Sequence, residues 1–300
     1  MLNHIGQIPA AAAQKFSDKV ALVFEGRPFS FNEINLLVER AAGGLSDLGI
    51  SPGDTVTLYA SNSWEWIVSY YAIARLGAII NPGNTMLTPD EIEYVVKDCG
   101  AKAIIASQEK VAGIMGVKAV SDVNAIISFG SDIAEGAVSF DALIAAAIPA
   151  PAPIEVDPAA LSTIGYTSGT TGHPKGAMQS HRAVITNGAM TSQMQMRGAQ
   201  DCVVSALPCP HVYANVIMMS MMMFGSKLVL HRTFDVDLAF ADIAAHKATI
   251  FDGVPAMYMF MLNSPTLKDV DLSSLTRCYV GGQTMPVATM EAVEAAFKVG

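Results

Sequence analysis

Apolar residues recur along this chain in two alternating rhythms, and the alternation predicts strand–helix–strand units. Ile34, Leu37, Val38, Ala41, Leu45 and Leu48 follow the three-to-four spacing of a helix with one buried face. Ser30 and Glu33 stand ahead of it at capping-box spacing, and Gly49 supplies its stop. The turn Ser51-Pro52-Gly53-Asp54 then leads into an apolar run over 55–60, read as a strand. A second helix is expected from about Ser63 to near Gly77, with a strand over 78–81 after it. Thr88, Pro89 and Glu91 start the next helix. It puts Ile92, Val95, Val96 and Cys99 on one face, ends at Gly100, and feeds a strand over 103–106.

The alternation continues to the end of the chain. Strands are expected over 161–166, 203–207, 227–230 and 249–251. Helices are expected from Ser180, over a methionine-rich run at 212–225, near 237–246, and over 287–297. The fold class is therefore α/β, with layered, mostly parallel sheets flanked by helices. An Ala/Pro-rich stretch at 145–153 is the expected connection between two α/β subdomains that meet near 145–160. Sheets of this kind bind ligands at the carboxyl ends of their strands. His211, Gly253, Gly281 and a glycine-rich loop near 170 all follow strand-like runs, so they are candidates to share one edge.

Composition narrows the choice of function. Hydrophobic residues make up 51% and charged ones 15%, as in a packed globular chain. The formal net charge is −9 without a Lys/Arg cluster, which argues against a nucleic-acid partner. Cys99, Cys202, Cys209 and Cys278 lack paired metal-ligand spacing, so no metal ligands are assigned and reduced thiols are expected. Together with an N-terminus unlike a secretory leader, this gives a cytoplasmic expectation. The run containing Met218, Met219, Met221, Met222 and Met223 is too short for a bilayer, which needs about 20 apolar residues. No integral membrane segment is expected. These methionines are read mainly as core, with a pocket lining as the alternative.

The stretch with the sharpest chemistry is 166–176, YTSGTTGHPKG. Gly169, Gly172 and Gly176 allow backbone amides to turn toward a ligand, and Thr167, Ser168, Thr170 and Thr171 add hydroxyls. Lys175 adds a cation, and the segment contains no acid. A polyphosphate fits such a loop. A flexible linker has similar composition, but Pro174 stiffens the segment just before the lysine. It is neither a Walker loop, since Gly-Lys-Ser/Thr is absent, nor the dinucleotide fingerprint, since the glycines lack the G-x-G start.

YTSGTTGHPKG resembles the phosphate-binding signature of the adenylate-forming (AMP-binding) superfamily, and the motif order resembles its acyl- and aryl-CoA ligase branch over roughly residues 15–300. The 208–213 segment PCPHVY resembles the family's second site motif, 253–258 GVPAMY its acyl-pocket wall, and 281–286 GGQTMP its adenine turn. The resemblance implies that Thr167, Ser168, Gly169, Thr170, Thr171, Gly172 and Lys175 hold ATP phosphates, with Mg²⁺ bridging them. It implies that Gly281, Gly282 and Gln283 border adenine. It also implies that His211, Tyr213, Gly253, Val254 and Met257 handle the acid, with His211 and Lys175 as the catalytic pair.

The implied reaction is ATP-dependent activation of a small carboxylic acid, followed by transfer to coenzyme A. Amino-acid-activating domains carry Phe-Asp where this chain has His211-Val212-Tyr213, so a fatty or aromatic acid is favoured. The family's later Thr-Glu motif and its lysine-bearing C-terminal lid domain do not occur by residue 300. The expectation is therefore an N-terminal portion, truncated and inactive alone. A non-catalytic nucleotide-binding module, an amino-acid-activating domain and a membrane-surface protein are the alternatives.

Overall fold

The structure is a computed structural model that describes residues 2–116, 123–152, 154–167 and 174–299. In chain order, helix α1 (Ile8–Phe16) precedes a hairpin of β1 (Val20–Phe24) and β2 (Arg27–Ser30). Then come α2 (Phe31–Asp47), β3 (Thr55–Tyr59), α3 (Trp64–Arg75), β4 (Ile79–Pro82), α4 (Pro89–Asp98) and β5 (Ala101–Ser107). Next are α5 (Gln108–Ile114), β6 (Ala125–Phe129), β7 (Val138–Ser139), α6 (Phe140–Ala145), β8 (Leu161–Thr167) and β9 (Lys175–Ser180). The remainder is α7 (His181–Met194), β10 (Cys202–Ser205), α8 (Val212–Phe224), β11 (Lys227–Leu230), α9 (Val236–His246), β12 (Ile250–Gly253), α10 (Pro255–Leu262), β13 (Arg277–Val280) and α11 (Val287–Phe297).

These elements form two compact units, the first comprising Met1–Asp18 with Phe31–Asn187, the second Lys19–Ser30 with Gly188–Gly300. In the first, seven strands run in the order β7-β6-β5-β3-β4-β8-β9, parallel except for the β8–β9 pair. The expected α/β class with mostly parallel sheets is what the chain adopts. Helix α3 is buried nearly all round, with Trp66, Tyr70 and Tyr71 out of solvent, which its dense apolar sequence requires. Ile92, Val95 and Val96 of α4 pack with Ile104 and Ala106 of β5, as their helical spacing predicts. Helix α4 begins in a complete capping box. Thr88 Oγ1 accepts from the Glu91 amide at 3.3 Å, and Glu91 Oε2 accepts from the Thr88 amide at 2.8 Å. Thr88→Ala should therefore cost about 1 kcal/mol, measured by urea unfolding.

The second unit holds a six-stranded sheet in the order β13-β12-β10-β11-β1-β2. Its strands are parallel apart from β2, which returns antiparallel to β1 through the two-residue turn Glu25-Gly26. The periodicity of the N-terminal region does not foretell that β1 pairs with β11, some two hundred residues later. Only long-range pairing decides it. The 145–160 stretch lies inside the first unit, where it joins α6 to β8 of the same sheet, and the units part at 187/188 instead. Met218, Met219, Met221 and Met222 are all buried in α8 as core.

Candidate functional site

In the first unit, the signature segment lies between two antiparallel neighbours of the seven-stranded sheet. Strand β8 runs out to Thr167, β9 returns from Lys175, and these two residues are direct cross-strand partners. Both are exposed. The helix expected from Ser180 is α7, beginning at His181, and the stretch between it and the loop, which periodicity leaves unassigned, is β9, so Lys175 sits on a strand. Ser168, Gly169, Thr170, Thr171 and Gly172 lie outside the described residues.

The base of this strand pair is fixed by packing and by one polar tie. The Tyr166 hydroxyl donates to Asp98 Oδ2 at the end of α4. Burial, and then that carboxylate, push the phenol far above its usual range, so it remains a donor. The Tyr166 ring lies across Gly176. A Cβ at that glycine would come 2.8 Å from Ile164 and 3.2 Å from the tyrosine ring. The glycine lets the two strands carry a large ring between them without bending away from each other.

In the second unit, the remaining candidates gather at the carboxyl edge of the parallel strands. His211 is exposed and stands at the N-cap of α8, after β10, with its amide donating to the Pro208 carbonyl at 2.9 Å. Gly253 ends β12, Val254 caps α10, and buried Met257 lies in the first turn of that helix. Gly281 follows β13 and donates its amide to the Gly253 carbonyl at 3.3 Å. Gly282 adopts φ +82°, and Gln283 is exposed beside it. The expected single shared edge is thus two edges. The 166–176 loop belongs to the seven-stranded sheet, whereas His211, Gly253 and Gly281 belong to the six-stranded one.

Tyr213 links these pieces of the second unit. Its ring occupies the place a Gly281 side chain would need, since a Cβ there would come within 2.7 Å of the ring. Its hydroxyl donates to Asp252 Oδ1 at 3.0 Å. Burial and the adjoining carboxylate raise this phenol far above its ordinary value, so it remains protonated. Asp252 is wholly buried and takes an ion pair from Arg197 at 2.7 Å, with both side chains at 0% exposure. The Arg197 guanidinium also stacks over Tyr279 at 5.1 Å and donates through Nε to Gln195. Sequence reasoning ended the strand at 251 and so missed Asp252. The available signal was a lone acid at the tip of an otherwise apolar strand, since buried acids need partners.

Residues 9–299 match the AMP-binding enzyme family. The chain belongs to that family. It is 31% identical over 98% of its length to a 3-[(3aS,4S,7aS)-7a-methyl-1,5-dioxo-octahydro-1H-inden-4-yl]propanoyl:CoA ligase of Mycobacterium tuberculosis, covering 60% of that protein. Against 4-coumarate–CoA ligase 5 of Oryza sativa subsp. japonica it is 33% identical over 90% of its length, covering 50% of the relative. The AMP-binding chain also superposes on the crystal structure of the anthranilate CoA ligase AuaEII in complex with anthranoyl-AMP. The TM-score is 0.93 at 25% identity, over 99% of this chain and 58% of that one. The chain thus spans about half the length of the curated relatives it matches. Among the described residues, no helix is long and apolar enough to cross a membrane.

Proposed function

We propose that the AMP-binding chain belongs to an enzyme that activates a carboxylic acid with ATP and passes it to coenzyme A. In the first step a carboxylate oxygen attacks the α-phosphorus, the bond to the bridging oxygen breaks, and pyrophosphate leaves. In the second, the coenzyme A sulfur attacks the acyl carbon, AMP leaves, and the thiol proton is released to a base. Both steps ask for placement and charge neutralisation more than for covalent help.

The observation that carries this reading is the strand register that sets Thr167 opposite Lys175, both exposed, on either side of the glycine- and hydroxyl-rich segment of the sequence. Backbone amides and hydroxyls of 167–172 would hold the outer phosphates, and Lys175 would neutralise them. Mg²⁺, a hard cation, would supply further charge neutralisation. Among the described residues no group of three or more His, Cys, Asp or Glu side chains is placed to hold a metal. His211, exposed at the start of α8, is assigned to the substrate carboxylate. Val254 and Met257 are assigned to the acyl chain, and Gly281, Gly282 and Gln283 to adenine.

The favoured substrate is a fatty or aromatic acid without an α-amine. An amine would need a free carboxylate beside it, and the charge of Asp252, behind Tyr213, is already matched by Arg197. In the protein as its gene encodes it, Lys175→Ala should lower acid-dependent ATP–pyrophosphate exchange by roughly 10²-fold. Exchange at the wild-type rate, or ATP soaked into crystals with its phosphates away from 167–175, would remove the basis of the proposal.

A further inference from the structure

Near the carboxyl ends of the six-stranded sheet several polar side chains bond to one another or to the backbone, and their arrangement gives one of them a task. Tyr258 sets its hydroxyl 2.7 Å from the Tyr279 carbonyl and 3.0 Å from the Phe251 carbonyl, tying β13 to β12. Tyr279 reaches the Gln195 carbonyl at 2.6 Å. Ser205, at the end of β10, donates to the Asp252 carbonyl at 3.0 Å. Each strand end is therefore held in place independently of the acid at position 252.

The Asp252 side chain does something different. It points at the first turn of α8, where its Oδ1 receives both the Arg197 Nη2 at 2.7 Å and the Tyr213 hydroxyl at 3.0 Å. A buried ion pair contributes little to stability compared with apolar residues of the same size, so its presence calls for another reason. Here the reason is geometric. The Tyr213 ring faces the backbone of Gly281 with no room for a Cβ, and a two-point hold at hydroxyl and ring leaves it one position. Tyr213 itself stands in the first turn of α8, and its ring lies against the Gly281 backbone that opens the 281–283 segment.

We propose that Asp252 is a positioning residue. With its charge matched by Arg197, it fixes Tyr213, and through that ring it sets the α8 start and the 281–283 turn against each other, so that acid and nucleotide subsites form together. The proposal rests on the adenylation reading above. Arg197 and Asp252 themselves never meet substrate, because both are fully buried. Asp252 Oδ2 and Arg197 Nη1 make no hydrogen bond among the described residues, so the tether runs through a single carboxylate oxygen. A tether of that kind is sensitive to loss of one hydroxyl.

The test compares Tyr213→Phe, which removes only that hydroxyl, with Asp252→Asn, whose amide oxygen still accepts from it. Amide hydrogen exchange over 211–216 and 281–285 is followed by mass spectrometry. Binding of an acyl-sulfamoyl-adenosine, a stable mimic of the acyl-adenylate, is followed by calorimetry. Tyr213→Phe should speed exchange in both segments about tenfold and weaken the mimic about tenfold. Its thermal midpoint should move by only a few degrees. Asp252→Asn should keep most of the binding under conditions where it remains folded, although it leaves the buried Arg197 charge unmatched and lowers overall stability. In steady-state assays of the protein as its gene encodes it, Tyr213→Phe should raise the acid KM while kcat changes less than about threefold.

Unchanged exchange and affinity in Tyr213→Phe would overturn the tether. So would faster exchange in one segment only. Failure of the wild-type protein to bind the mimic would instead sink the adenylation reading, and the proposed subsite coupling with it.

Discussion

Arg197→Ala should destabilise the second unit by about 3–5 kcal/mol, the usual loss when one member of a buried ion pair is removed. Asp252 is at 0% exposure, and after the substitution it keeps only the Tyr213 hydroxyl as a partner for its side chain. An uncompensated carboxylate in that setting must either remain charged at high cost or take up a proton. The guanidinium also covers Tyr279, so truncation leaves space beside an aromatic ring. Urea unfolding followed by far-ultraviolet circular dichroism checks the value. The control is Arg197→Met combined with Asp252→Leu, which removes both charges. It should recover most of the loss, since an apolar pair of similar volume is often as stable as the ions. A loss below about 1 kcal/mol in Arg197→Ala would show that the pair is solvated and not isolated as the geometry indicates.

The second large effect is a loss of stability in mild acid. His181 begins α7 at 1% exposure, and its Nδ1 accepts the Ile5 amide at 3.2 Å, which requires a neutral ring with that nitrogen unprotonated. His4, also at 1% exposure, lies edge-on to it with centroids 5.7 Å apart, and Arg75 is the cation facing His4. Burial, then the neighbouring His4, lower the His181 pKa to about 4. Burial, then the Arg75 charge, lower that of His4. Both rings are thus neutral when folded but titrate near 6.5 when unfolded.

The sign follows from proton counting. Above pH 6.5 neither state binds the extra proton and stability is intact. Below it the unfolded chain gains protons that the folded chain refuses, and stability falls until the folded pKa is reached. Between pH 6.5 and about 4, His181 alone should remove about 3 kcal/mol. Urea midpoints across that range measure it. His181→Asn, whose side-chain oxygen still accepts from Ile5, should flatten the pH slope even if its neutral-pH stability is lower. A slope unchanged by the substitution would assign the acid sensitivity to other groups.

Much of the architecture was legible in local pattern. The helix faces of 34–48 and 92–99, the capping box at Thr88 and Glu91, and the run at 227–230 follow from which residues must leave water and which orphan amides need partners. The chemistry proposed for 166–176 is equally local, because it rests on glycines, hydroxyls and one lysine within eleven residues, without reference to any other part of the chain. What spacing could not provide was the partner of each strand. Lys175 was assigned to a loop because a short polar strand such as KGAMQS has no apolar rhythm, and only its ladder with β8 makes it a strand. Strand β1 likewise became part of the second sheet through pairing with β11.

The sequence by itself determined the alternation of helices and strands and the family to which the chain belongs. Tertiary structure alone decided that Arg197 meets Asp252 across 55 residues, that Tyr213 is held between that acid and Gly281, and that His4 meets His181 across the length of the first unit. The difference has a physical cause. Burial and capping are satisfied within a few residues and leave a periodic trace. A buried charge, by contrast, is satisfied by whichever distant group the order of strands in the sheet brings to it.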